Sequence, residues 1–166
     1  METPIIRDTI KPGDIGRIIS LHGELYDREH GYDHTFEAYV AEPLAQCIKR
    51  NNDREKIWIV ERQQQTEGSI AICERDQHTA QLRWFILSPE LRGLGLSKTL
   101  MKTALQFCID NNYQTVELWT VKGLEAARKL YCQFGFELNE EHEHRIWGAE
   151  RTEQKYVLCL RGDTAK

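Results

Sequence analysis

The stretch Leu82–Leu105, LRWFILSPELRGLGLSKTLMKTAL, constrains this chain more than any other. A run of bulky and β-branched residues ends at Ser88-Pro89, a short loop carries Gly93 and Gly95, and a helix leaves at once. Ser97, Leu100, Met101, Ala104, Leu105 and Cys108 share one side of that helix, the stripe of an amphipathic element packed on a sheet. A strand, a glycine turn and a helix N-terminus form an anion site by construction. The first helical N–H groups have no internal partner and face outward with the positive end of the dipole. Glycine lets the backbone approach a phosphate without a Cβ in the way. Lys98 and Lys102 stand in the first turns, where the dipole disfavours cations and a bound polyanion would favour them. The glycine pair lacks the third glycine of the dinucleotide fingerprint and the Gly-Lys-Ser/Thr of the Walker loop. By itself it also fits an ordinary strand-to-helix turn.

The rest of the chain bounds the reading. With 166 residues, 40% hydrophobic and 29% charged, one globular domain spanning 1–166 is expected, without repeats or low-complexity linkers. The net charge of −4 and the absence of any long basic run argue against a nucleic-acid surface. No apolar stretch approaches a membrane span. The N-terminus, METPIIRDTIKPGD, has no apolar signal core. Five scattered cysteines without a C-x-x-C pair fit a reduced, cytoplasmic protein that uses them as small core residues.

Apolar periodicity orders the elements. A first strand falls at Ile5-Ile6, and Asp14 is placed to cap a helix bearing Ile15, Ile18, Ile19, His22, Leu25 and Tyr26. Thr35 is placed to cap a second helix to about Arg50, with Tyr39 and Ile48 among its inward positions, and Pro43 is expected to kink or split it. Ile57–Glu61, Gly68–Glu74 and Thr79–Leu87 read as an antiparallel meander feeding the glycine loop. Val116–Thr120 is the next strand, and Leu124–Phe134 a second amphipathic helix closed by Gly135. Strands then start at Phe136 and at Lys155, while the acidic run Glu140-Glu141-x-Glu143 reads as a solvated loop that could also attract an amine. The order β-α-α-β-β-β-α-β-α-β-β specifies an α/β protein with a mixed sheet.

Two segments resemble one superfamily. Arg92-x-x-Gly95-x-Ser97 after a strand ending in Ser-Pro resembles the acyl-CoA pyrophosphate loop, Arg/Gln-x-x-Gly-x-Gly/Ala, of the GNAT N-acyltransferases, with Ser97 a small-residue departure. Ala127-x-x-Leu130-Tyr131-x-x-x-Gly135-Phe136 resembles the segment that closes the same acyl-CoA site. His22–Tyr26, Glu29, Gly31, Phe36-Glu37, Tyr39-Val40, Leu118–Thr120 and Trp147-Gly148 resemble, more narrowly, the acetyltransferase half of proteins that fuse a MarR-type regulator to a GNAT domain, here as a stand-alone version.

The resemblance implies a GNAT-like fold, a mixed, mostly antiparallel central sheet flanked by helices. It implies transfer of an acetyl group from acetyl-CoA to a primary amine, on a small molecule or a peptide, by direct attack in a ternary complex. The backbone of Phe85 and Leu87 would pair with the pantetheine arm. The N–H groups of Arg92, Gly93, Leu94, Gly95, Leu96, Ser97 and Lys98 would cradle the pyrophosphate. A β-bulge is expected near Phe85–Leu87, with the neighbouring strand parting beyond Leu87. A β-carbon at Gly95 is expected to meet the phosphates while leaving the fold intact. Tyr131 would protonate the leaving thiolate, because a phenol with a pKa of about 10 nearly matches a thiol. Spacing alone also allows Tyr131 as a core aromatic.

The departures matter as well. Arg83 stands where many relatives carry a glutamate base, and Leu124 replaces an asparagine seven residues before the tyrosine. Glu24, Glu74, His22, His142 and His144 are the remaining candidates for a base, each equally suited to surface or capping duty. His142-x-His144 has no third ligand at metal spacing, so no metal is expected. An acyl-CoA sensor without turnover is the runner-up reading, with Arg83 and Leu124 in its favour. A nucleotide- or nucleic-acid-binding module fits the loop but neither the tyrosine helix nor the charge. The acceptor stays open, as does a homodimer.

Overall fold

The computed structural model describes residues 2–160. Its elements are β1 (Ile5–Arg7), α1 (Asp14–His30), α2 (Thr35–Arg50), β2 (Lys56–Arg62), β3 (Gln65–Glu74), β4 (Thr79–Leu87), α3 (Leu96–Asp110), β5 (Thr115–Val121), α4 (Glu125–Gln133), β6 (Glu137–Ile146) and β7 (Ala149–Cys159), with one 3₁₀ turn at Pro89–Leu91. The expected order of strands and helices holds. One sheet runs β1-β2-β3-β4-β5-β7-β6, antiparallel throughout except where β4 meets β5.

The period of two along the central strands decides which helix covers which face. Trp58, Val60, Ile70 and Ile72 point to the side where Leu100, Met101, Ala104 and Cys108 of α3 and Tyr131 of α4 pack. Ile57, Ile59, Ala71 and Cys73 point to the other side, against Ile18 of α1 and Phe36, Val40, Leu44 and Cys47 of α2. Both faces of β2 and β3 are therefore dry, which explains their nearly continuous apolar sequence. No helix among the described residues is long and apolar enough to cross a membrane.

Several local expectations need correction. Pro43 neither splits nor ends α2, which runs unbroken from Thr35 to Arg50. Phe36 and Val40 before it and Leu44 and Cys47 after it bury in the same cluster, so packing on the sheet holds both halves in one helix. Tyr39 and Ile48 stay exposed on that helix. Thr35 is its first residue rather than its cap, and the Asp33 carboxylate accepts the Thr35 N–H at 3.0 Å. Asp14 is the first helical residue of α1, Gly13 being the cap in a left-handed conformation. The acidic run Glu140–Glu143 is not a loop. It belongs to β6, an exposed edge strand that pairs with β7 through a Trp147-Gly148 turn at φ 52° and 91°. Its charges hide it from a search for apolar alternation and also protect the edge from pairing with another chain. Cys132 and Cys159 are exposed, so only Cys47, Cys73 and Cys108 serve the core.

Asp14 ties the N-terminal strand to the body. Its carboxylate takes a fork from Arg7 at 2.7 and 2.8 Å and the Thr66 hydroxyl at 2.7 Å, while Arg7 also donates to Glu61 at 2.7 Å. Burial alone would raise the Asp14 pKa. The bonds from Arg7, the Lys11 N–H and Thr66 more than reverse this, holding it at about 2 against an ordinary 3.8. A depressed carboxyl stabilises the fold above its unfolded pKa and loses that contribution as pH falls through its folded one. The shift corresponds to about 2 kcal/mol, fully present above about pH 4 and fading toward pH 2. Asp14→Asn should lower stability at pH 7 by about 2–3 kcal/mol and flatten the acid limb below pH 4. Urea unfolding between pH 2 and 7 checks both, and an unchanged acid limb would remove Asp14 from the account.

Candidate active site

The site begins with a fault in the sheet. β4 and β5 are paired only from Thr79–Thr115 to Gln81–Glu117, and then they part. On its other edge β4 slips register. Ala71 lies opposite Arg83 and Ser69 opposite Ile86, so Trp84 and Phe85 together face Ile70. Trp84 adopts φ 46°, an outlier for a bulky residue, and the Ser69 hydroxyl donates to its carbonyl at 2.6 Å. The bulge therefore falls at Trp84–Phe85, at the start of the expected Phe85–Leu87 stretch, and the parting begins at Gln81 rather than beyond Leu87. No glycine or proline in β4 announces it. The signal lies on the partner strand, where a Cβ on Gly68 would come within 2.7 Å of the Ile86 carbonyl.

The bulge resets which way side chains point. Leu82 belongs to the α3 side, Trp84 to the α1/α2 side, and Phe85 and Leu87 return to the α3 side, with Ile86 against Leu21 and Leu25. Arg83 and Trp84 thus project together toward α1 and α2, the guanidinium carbon 5.0 Å from the indole centroid.

The loop that follows β4 presents bare backbone. Thr99 N–H is the first to close on the loop, bonding the Gly95 carbonyl at 3.2 Å. Among the described residues, no protein acceptor takes the N–H groups from Gly93 through Lys98. Gly93 and Gly95 sit at φ 78° and 79°, and a Cβ at either would meet no protein atom within 4 Å. The constraint that the protein itself places on Gly95 is thus conformational. Valine there would be strained by the left-handed backbone, so Gly95→Val would cost stability as well as space at the loop. Arg92 does not face the loop's N–H groups. It forks onto Glu29 of α1 at 2.9 and 3.2 Å and reaches the Leu87 carbonyl at 3.4 Å, which fastens the loop to α1. Lys98 and Lys102 are exposed and have no carboxylate partner among the described residues. Leu94, at 61% exposed, is the loop's tip.

Tyr131 closes the site from α4. It is buried against Phe136 and Tyr156. Burial, with the Tyr26 phenol nearby, pushes its hydroxyl well above the ordinary tyrosine value. Tyr26 is itself pushed up to about 12, by burial and then by Glu29. Both phenols therefore keep their protons across the physiological range. A thiolate released in the same desolvated space becomes more basic by the same effect, so the acid and its target move together.

A cleft of about 620 Å³ joins these parts. Phe85, Leu87, Arg92, Gly93, Ser97 and Tyr131 line it, whereas Leu94, Gly95, Leu96 and Lys98 stand outside its wall. Of the candidate bases only His22 reaches it. The His22 Nδ1–H donates to the Ile18 carbonyl at 2.8 Å, leaving Nε2 as acceptor, and burial lowers the pKa to about 4, so the ring is neutral and weakly basic. Glu24 is held by Ser20, Glu74 by Asn52 and Arg54, His142 by Glu140, and His144 by Glu153. The sequence reading missed Tyr26, Tyr32, Trp84, Trp147 and Glu153 as lining residues. Tyr26 and Trp147 stand out only through the family resemblance, and Glu153 carries no signal inside a charged strand. Away from the cleft, Cys47, Glu55 and Cys73 bring three ligand-type atoms within 4.8 Å of one another. Arg50 already forks onto Glu55 at 2.9 and 3.2 Å, and the Cys73 thiol is pushed far up by the neighbouring Cys47 and by burial.

Residues 21–136 match the model of the Acetyltransferase (GNAT) family. The chain belongs to that family. Among curated GNAT relatives, an N-acetylaspartate synthetase of Danio rerio is 31% identical over 118 residues, covering 70% of this chain and 39% of its own. The chain spans about two-fifths of the length of the first curated relatives it matches. Among solved structures, an acetyltransferase of Streptococcus agalactiae has a TM-score of 0.79 at 21% identity, covering 95% of this chain and 98% of its own. An acetyltransferase of Salmonella typhimurium solved with its cofactor acetyl-CoA has a TM-score of 0.77 at 14% identity, covering 98% and 96%. These structures share the fold of this chain.

Gly68→Ala should strain the approach of β3 to the bulged end of β4. We expect a loss of about 2 kcal/mol in urea unfolding. A loss below 0.5 kcal/mol would mean that Ile86 and Leu87 shift freely and that the bulge is not pinned there.

Proposed function

We propose that the chain is an N-acetyltransferase that moves an acetyl group from acetyl-CoA to a primary amine. The observation that carries this is the continuity of the cleft, from the bare N–H groups of the loop, along the parted edge of β4, to the hydroxyl of Tyr131. The pyrophosphate would take the N–H groups between Gly93 and Lys98, with Lys98 and Lys102 adding charge. The space in front of Gly93 and Gly95 fits such a group, since no protein atom lies within 4 Å of a Cβ built at either. The pantetheine amides would run beside Phe85 and Leu87, beyond the last β4–β5 pair, the Leu87 carbonyl being shared with Arg92. Acetyl-CoA supplies the activated acyl group.

The chemistry left to the protein is positioning and proton transfer. The neutral amine attacks the thioester carbon, the C–S bond breaks as the C–N bond forms, and the Tyr131 hydroxyl gives its proton to the departing sulfur. The amine's surplus proton leaves through the cleft to solvent or to Glu153. The name of the Danio rerio relative supports a small-molecule acceptor. The segments that resemble the acetyltransferase half of MarR–GNAT fusions include His22, Tyr26, Glu29, Phe36, Tyr39 and Trp147, all on the acceptor side of the cleft.

Two variants test the reading. Tyr131→Phe keeps the ring and its packing, so acetyl-CoA affinity should hold while turnover falls by roughly 10²- to 10⁴-fold. Turnover within a few-fold of the parent, with chemistry rate-limiting, would remove Tyr131 as the acid. Binding of acetyl-CoA with no turnover on any amine would favour a sensor. Gly95→Ala should weaken acetyl-CoA binding by at least about 10-fold, with about 1 kcal/mol of stability lost to the left-handed backbone. Calorimetry reads the first and thermal unfolding the second. Unchanged affinity in the folded variant would move the phosphate site elsewhere.

A further inference from the structure

The acceptor half of the cleft lies between β4, α1, α2 and the β6–β7 turn, and its walls are aromatic. Tyr32 stacks on Trp147 with centroids 5.1 Å apart, and Phe36 meets Tyr32 at 4.9 Å and Tyr26 at 4.6 Å. Charge within this half is sparse, and almost all of it is spoken for. Glu29 holds Arg92 at 2.9 Å, Glu153 holds His144 at 3.1 Å, and Glu125 at the cleft's rim holds Arg128 at 2.9 Å. His22 is neutral, and burial lowers the pKa of His30, which lies 3.9 Å from Glu29. Arg83 is the exception. It lines the cleft, is half-buried, and makes no ion pair with any carboxylate among the described residues. Its neighbours are the Trp84 ring and the Tyr39 hydroxyl. One side of the Tyr39 ring is exposed, but desolvation of its hydroxyl raises the pKa; Arg83 opposes that rise and Glu153 adds to it.

We propose that the acceptor is a small amine that also carries a carboxylate, and that Arg83 binds that carboxylate. A guanidinium held in an apolar cleft without a counter-ion lacks part of its hydration and has no paired charge to replace it. A carboxylate offers the two-oxygen geometry that an arginine fork matches. The bulge is what aims the fork, because it turns Arg83 and Trp84 to the same side of β4. The reach is also set by the strand. Arg83 stands two residues before Phe85, where the acyl arm would run, across the bulge at Trp84. The arginine side chain makes up the distance, so a small amino acid with its amine at the acyl carbon presents its carboxylate to the fork. An amine with a second positive charge would meet Arg83 instead of a partner. This assignment rests on the acetyltransferase reading of the same cleft and gives Arg83 a role in place of the glutamate that its position implied.

The test measures binding apart from turnover. Calorimetry with the protein saturated in CoA compares L-aspartate, L-glutamate and β-alanine with their amides and with putrescine. The carboxylated probes should bind at least about 30-fold more tightly than the matching amides, the worth of one charge-assisted fork. Arg83→Gln should erase that difference and Arg83→Lys should restore part of it. Arg83→Glu should reverse it in favour of putrescine. Equal affinity for acids and amides in the parent protein, or a difference that survives Arg83→Gln, would overturn the proposal whether or not the protein turns over. Turnover on the same panel then separates the two readings. Acetylation of amides or diamines in preference to acids would leave the transferase standing and the carboxylate assignment refuted. Carboxylate-selective binding without acetylation would do the reverse.

Discussion

Everything specific to the cleft depends on two strands that stop pairing. β4 and β5 begin as parallel neighbours and share no pair after Gln81–Glu117. A parallel pair that diverges leaves backbone groups inside the protein without partners, which a folded chain tolerates only where something else will satisfy them. The divergence is enforced from the opposite edge. Gly68 lets β3 come up against the Ile86 carbonyl, Ser69 captures the carbonyl of Trp84, and the extra residue twists the end of β4 away from β5. The glycine loop continues from that twisted end, so its N–H groups and the free edge of β4 belong to one surface.

The electrostatics of the cleft follow from its dryness. Burial suppresses charge on three of its groups: His22 stays neutral, while Tyr26 and Tyr131 hold their protons. Where charges persist they are coupled to structure. The Arg92–Glu29 fork links the phosphate-side loop to α1, and α1 carries Tyr26 toward Tyr131. Loop position and phenol position are therefore set by a common helix. Arg83 differs in having an aromatic neighbour and no carboxylate, and this sets the charge of the acceptor half.

The two kinds of residue in the site were unequally legible. The loop and the tyrosine helix could be read because their function depends on local geometry: a glycine at positive φ beside a helix start, or an aromatic on an apolar stripe, leaves a mark within a few residues of itself. The acceptor wall left no such mark. Trp147, Glu153, Tyr32 and Arg83 come from a turn, two strands and a loop, and each looks like an ordinary strand, turn or surface residue in its own neighbourhood. β6 was misjudged for a related reason, since an edge strand whose residues are nearly all exposed has no buried face to generate alternation. Pro43 erred in the other direction: a strong local breaker was overruled by four buried side chains on the same face of α2.

The amino-acid order by itself determined the layers of this protein and the place of its anion loop. Apolar period and glycine position act over one or two turns of chain, and the sheet, its two covered faces and the helix N-terminus follow from them. Tertiary structure alone decided where β4 parts from β5, which way Arg83 points, and which aromatic rings wall the cleft. Those outcomes depend on a register slip between two strands and on contacts such as Tyr32 with Trp147, more than a hundred positions apart. Such contacts form only when the whole sheet has closed, so no local propensity encodes them.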